Sequence, residues 1–79
     1  MSNTDLTKIY TTFGGWLKSA IYQADMTVEE VARKMRVSTN TVYSWVNGRH
    51  RPNGWGQVKE LSRLVDADGE FVWEVFFVR

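Results

Sequence analysis

The chain contains no cysteine, one proline and one histidine in 79 residues. Without thiols there is no disulfide to staple the fold and no thiolate to hold a metal. The single histidine, His50, stands between Arg49 and Arg51. It has no acidic or nucleophilic partner in view, so no catalytic constellation is legible and an enzyme is not expected. No apolar run approaches the length needed to cross a bilayer. Met1 to Thr12 lacks the charged-then-apolar order of an export leader. The expectation is a soluble cytoplasmic protein with no membrane partner, no metal and no cofactor.

The most informative deficit is in charge of one sign. Between Val31 and Lys59 there is no Asp or Glu, although Arg33, Lys34, Arg36, Arg49, Arg51 and Lys59 fall inside that window together with His50. All 9 carboxylates lie outside it, so the formal net charge of +1 conceals a segregated distribution. An unbalanced basic stretch attracts phosphate. A merely solvated basic face is the alternative, and the helix pattern inside the window decides between them.

What is present in quantity is aromatic: 4 Trp, 3 Tyr and 4 Phe. These build a core or an interface from few residues, which matters because a chain this short makes one small domain and buries only about 60–65% of its unfolded surface. Leu6, Ile9, Tyr10 and Phe13 fall at helical spacing, and Trp16, Leu17, Ala20, Ile21 and Ala24 continue the same face. Gly14 and Gly15 interrupt this pattern at about 1 kcal/mol each relative to Ala. They leave the helix start open between Asp5 and Thr12.

Thr27 and Glu30 form a capping box, in which the hydroxyl accepts from the third helical amide while the carboxylate reaches back to the cap amide. The helix it opens has Val28, Val31, Ala32 and Met35 as its apolar stripe, with Arg33 and Lys34 outward. After a short connection, Ser38 caps a third helix running through Asn47, with Val42, Trp45 and Val46 inward. Gly48 stands where a left-handed residue closes a helix, and Pro52 follows. The outward face of the third helix presents Thr39, Asn40, Tyr43, Ser44 and Asn47, all hydrogen-bonding and none acidic. Two short helices so joined make a helix-turn-helix, here about 27–47, whose second helix enters the DNA major groove.

The stretch from Val28 to Gly48, VEEVARKMRVSTNTVYSWVNG, resembles the lambda-repressor and Cro helix-turn-helix, with Ala32 at the close-packed position, Val42 in the recognition helix, and Asn47-Gly48-Arg49 before Pro52. The resemblance covers about Phe13 to Val65. It implies an all-α, compact four- to five-helix bundle that is a single DNA-binding domain over 1–79. It further implies a sequence-specific regulator of double-stranded DNA, a phage-type or mobile-element repressor in a bacterial cytoplasm. Two positions depart from the family pattern. Arg36 occupies a turn site that is usually glycine because the backbone there is left-handed, which implies strain or a rebuilt turn. Val28 replaces a glutamine that braces the recognition helix and holds a phosphate.

Position by position, the resemblance makes Thr39, Asn40, Tyr43 and Ser44 the base readers. Asn40 stands first among them because an amide bonds adenine bidentately. Lys34, Arg36, Asn47, Arg49, His50, Arg51 and Asn53 become phosphate contacts that set docking.

A fourth helix follows with Val58, Leu61, Leu64 and Val65 inward, Trp55 assigned to the core and Asn53 as a possible cap. Asp66, Asp68 and Glu70 are spaced too closely for a calcium loop and read as a polar turn that starts the next element. The final segment, about 70–79, is apolar from Phe71 to Val78 at every position but Glu74. Its spacing favours a helix, and its β-branched and aromatic content leaves a strand as the alternative. Phe71, Trp73, Phe76 and Phe77 are the expected dimerisation residues, since so much apolar surface calls for a partner. A homodimer on an inverted-repeat operator follows. The competing function is an antitoxin or adaptor that keeps the helix-turn-helix shape while this aromatic segment binds another protein.

Overall fold

The computed structural model describes residues 12–78. The expectations placed on Leu6, Ile9 and Tyr10 lie outside them. Five α-helices follow one another with no strand among the described residues: α1 (Phe13–Gln23), α2 (Val28–Met35), α3 (Thr39–Val46), α4 (Trp55–Leu64) and α5 (Gly69–Trp73). The last turn after α5 widens to π-helical geometry over Glu74–Val78, so the C-terminal segment is helical and the strand alternative does not occur.

Four of the five helices open on a side-chain cap. Thr12 Oγ1 accepts from the Gly15 amide at 3.1 Å, which places the start of α1 at the later of its two expected positions. The capping box at α2 is complete, with Glu30 N donating to Thr27 Oγ1 at 3.1 Å and Thr27 N to Glu30 Oε1 at 3.0 Å. Ser38 Oγ accepts from Thr41 N at 3.1 Å at the head of α3. Asp68 Oδ1 accepts from the amides of Glu70 and Phe71 at the head of α5. Each cap satisfies amides that the helix itself leaves free. The exception is α4, whose cap position is Gly54 with no side-chain bond; Asn53 is not its cap, and its backbone amide instead donates to Gln57 Oε1 at 2.6 Å.

The closings share one device. After α1, α2, α3 and α4 a single left-handed residue follows, Asp25, Arg36, Gly48 and Asp66, with φ of 62°, 61°, 82° and 61°. The next amide then bonds back across the helix end: Met26 to Ile21 O, Val37 to Ala32 O, Arg49 to Ser44 O and Ala67 to Ser62 O. In three of these closures the residue making the bond is apolar and packs on the core. At the end of α3 it is Arg49, whose side chain is exposed.

Phe13, Trp16, Leu17 and Ile21 of α1 form the centre of the core with Val31 and Ala32 of α2, Val42 and Trp45 of α3, Val58 and Leu61 of α4, Val65 after it, and Val72 of α5. Helix α1 lies hard against the C-terminal end of α3 at Gly14, where a Cβ would stand 2.6 Å from Val46 O and 2.7 Å from Trp45 O. The glycine that weakens the helical pattern is therefore what allows the two backbones to meet. Trp55, expected in the core, is 38% exposed and touches Trp73 edge-on at 5.7 Å.

Candidate nucleic-acid interface

The turn between α2 and α3 consists of Arg36, Val37 and Ser38 and retains its left-handed residue at φ 61°, ψ 41°. Arginine thus occupies the conformation that glycine takes more cheaply, at a cost of about 1–2 kcal/mol. Its side chain is exposed. Val37 packs on the core from the same turn and fixes the angle between the two helices.

Helix α3 buries Val42 and Trp45 and turns its other side outward. Asn40 and Tyr43 are exposed, while Thr39 and Ser44 are partly buried. Asn40 carries its amide free of any bond to another described residue that would compete for it. The Ser44 hydroxyl donates to Thr41 O at 2.7 Å, so its hydrogen is already spent within the helix. Tyr43 OH donates to Glu29 Oε2 at 3.3 Å, across from α2. That contact was not legible in the sequence pattern, and it supplies a brace between the two helices on the same helix as Val28, where the usual glutamine brace is absent.

The loop after α3 is folded back onto it. Ser44 O accepts from both Arg49 N, at 2.9 Å, and His50 N, at 3.2 Å. This holds a basic loop against the C-terminal end of α3, and the side chains of Asn47, Arg49, His50, Arg51 and Asn53 are all exposed. Lys34 is exposed at the end of α2. Among the described residues the single ion pair is Arg63 with Glu60, 2.7 Å apart, where the Glu60 hydrogen bond and charge raise the Arg63 pKa. Among the described residues no carboxylate lies within ion-pairing distance of a cation between Val31 and Lys59, and a concentration of uncompensated positive charge beside α3 attracts anions.

Arg51 stands apart from the other loop cations. Its guanidinium lies over the Phe77 ring, 4.1 Å from the centroid, and donates to Phe76 O. It is thereby tied to the C-terminal turn rather than presented freely beside Arg49 and His50. The four residues expected to pair two copies are also divided. Phe76 and Phe77 stand edge-on to Phe13 at 6.0 and 5.0 Å, and Trp73 stacks on Phe77 at 5.0 Å. Phe71 alone of the four is exposed, at 40%.

No group of three or more potential metal ligands gathers among the described residues, and no helix among them is long and apolar enough to cross a membrane. A protein-family model described as helix-turn-helix matches residues 17–54, from the middle of α1 through α2, the turn, α3 and the basic loop. Neither a curated protein nor a solved structure matches the chain.

Proposed function

Through residues 17–54 this chain belongs to the lambda-repressor-like helix-turn-helix family of DNA-binding regulators, and from that premise we propose that it is a sequence-specific, double-stranded DNA-binding repressor of the phage or mobile-element type. One observation carries this reading: an uncharged hydrogen-bonding face on α3, with Asn40 and Tyr43 exposed, flanked by exposed cations that no carboxylate among the described residues pairs with. Helix α3 enters the major groove, where the Asn40 amide reads adenine, Tyr43 and Thr39 contact neighbouring base edges, and Ser44 offers an acceptor because its proton is engaged. Lys34, Arg36, Asn47, Arg49, His50 and Asn53 hold phosphates on either side and fix the docking without reading sequence. Arg51 acts mainly by holding the loop to the C-terminal turn.

Two copies on inverted half-sites would place their α3 helices about one DNA turn apart, roughly 34 Å. The pairing belongs to the symmetry of the site. Phe76 and Phe77, engaged with Phe13, are not required to create it.

Selection of bound sites from random duplexes tests the proposal. An enriched inverted repeat is expected, bound by two copies. Asn40→Ala weakens that site by about 1–3 kcal/mol relative to a mutated one. The wild-type affinity falls with salt at a log–log slope of about 0.9 per phosphate neutralised. A flat salt response, or no enriched site, would refute it. Unchanged DNA binding in Asn40→Ala together with Ser44→Ala, with function lost on substituting the C-terminal aromatics, would favour an adaptor instead.

A further inference from the structure

The C-terminal third of the chain has a surface that DNA binding does not use. Trp55 and Trp73 meet edge-on, and with Phe71 they line an open groove of about 580 Å³ whose remaining walls are Asp68, Glu70 and Glu74. Trp55 and Phe71 are 38% and 40% exposed, unusual for side chains that gain so much from burial. From Glu60 onward the described residues carry five carboxylates, Glu60, Asp66, Asp68, Glu70 and Glu74, against one cation, Arg63, which is committed to Glu60. The groove therefore repels phosphate. Ring faces and carboxylates together select a cation that also has apolar surface, because the ring quadrupole and the carboxylate both favour positive charge while the indoles need to be covered.

The same segment already performs this chemistry within the chain, where Arg51 lies on the Phe77 ring and donates to the neighbouring Phe76 carbonyl. Along the groove, Trp55 and Phe71 stand beside Glu70 and Glu74, and among the described residues no cation lies on their rings. A second copy joined symmetrically across this face would bring two copies of the same acidic patch together, and like charges brought together in an interface disfavour it.

We propose that the groove between α4 and α5 is a docking site for a partner polypeptide that presents arginine or lysine next to an apolar side chain. The inference does not depend on DNA recognition by α3, and the two fail separately.

The test uses the full chain and a blocked synthetic peptide of sequence Gly-Leu-Arg-Gly-Leu-Arg-Gly, with a counterpart carrying glutamate in place of both arginines. The indole N–H signals of Trp55 and Trp73 are followed by NMR during titration, with the selected operator titrated in a parallel sample. The arginine peptide shifts both signals, and added salt weakens the effect. Glu70→Gln combined with Glu74→Gln lowers its affinity about three- to tenfold, the range expected for two exposed charge pairs, with the helical circular dichroism unchanged. The proposal is overturned if the glutamate peptide binds as well, if the double variant binds undiminished, or if neither peptide moves the signals. It is also overturned if the two indoles shift with protein concentration alone, which would make a second copy the occupant, or with operator alone.

Discussion

Replacing Gly14 with alanine should destabilise the protein even though alanine is the better helix former. The added Cβ would lie 2.6 Å from Val46 O, 2.7 Å from Trp45 O and 3.1 Å from Val46 C. All three are backbone atoms, so no rotamer change relieves the overlap and α1 must withdraw from the end of α3. Overpacking of this kind costs about 1–3 kcal/mol. The offsetting gain in helix propensity is at most about 1 kcal/mol in a helix interior, and less in the first turn, where Gly14 sits. The net expectation is a loss of roughly 1–2 kcal/mol, which lowers the Tm by about 4–8 °C per kcal/mol in a domain of this size. Gly15→Ala is the comparison, because its Cβ meets only Thr12 Oγ1, at 3.2 Å, so the capping hydroxyl rather than a neighbouring backbone has to give by a few tenths of an ångström. That variant should be neutral or gain up to about 0.5 kcal/mol. Urea and thermal unfolding of the two variants decide the matter. If Gly14→Ala is as stable as Gly15→Ala, the close approach of α1 to α3 is wrong.

Three further substitutions probe separate parts of the account. Ser62 is buried with its hydroxyl unpartnered among the described residues, so Ser62→Ala should leave stability unchanged or raise it by about 1 kcal/mol in urea unfolding; a clear loss would show that the hydroxyl is satisfied. Thr27→Ala removes the hydroxyl that accepts from Glu30 N, leaving the bond from the backbone amide of residue 27 to Glu30 in place, and should cost about 0.5–2 kcal/mol by the same assay. Arg36→Gly relieves a left-handed non-glycine residue and should gain about 0.5–1 kcal/mol. The same variant should weaken operator binding and lower the magnitude of the salt slope by about 0.9 if one phosphate contact is lost. Stability and DNA affinity moving in the same direction would contradict that trade.

The elements most legible in the sequence were those fixed by local chemistry. Thr27, Ser38 and Gly48 mark the boundaries of α2 and α3 because caps and closures act within one turn of chain, and the structure places them there. The left-handed closures at Asp25 and Asp66 went unread, since neither is glycine and the requirement comes from the apolar residue that follows each and packs on the core. Gly14 read as a weakness of α1 because its reason, the backbone of α3, is distant in sequence. The hydrophobicity of Trp55 directs it inward. Its placement depends on α5, whose Trp73 and carboxylates complete an open groove around it.

The candidate DNA face was legible as a pattern of residue types, while the bonds that tune it were not. Ser44 spends its proton on Thr41 O, Tyr43 reaches Glu29, and Arg51 is drawn to Phe77. Each of these contacts depends on where a side chain lies once the helices have packed, and no spacing rule encodes that. A signal for Arg51 existed in the aromatic density of the C-terminal segment, which offered a ring to any nearby guanidinium.

In the proposed complex the outward side of α3 and the loop behind it meet the double helix. Titrating the labelled chain with its selected duplex and mapping the amide and side-chain shifts by NMR tests this directly. The largest changes are expected at Thr39, Asn40, Tyr43, Ser44, Arg49 and His50, with Trp55, Phe71 and Glu74 unmoved. Changes concentrated around Trp55 and α5, with Asn40 and Tyr43 silent, would contradict it.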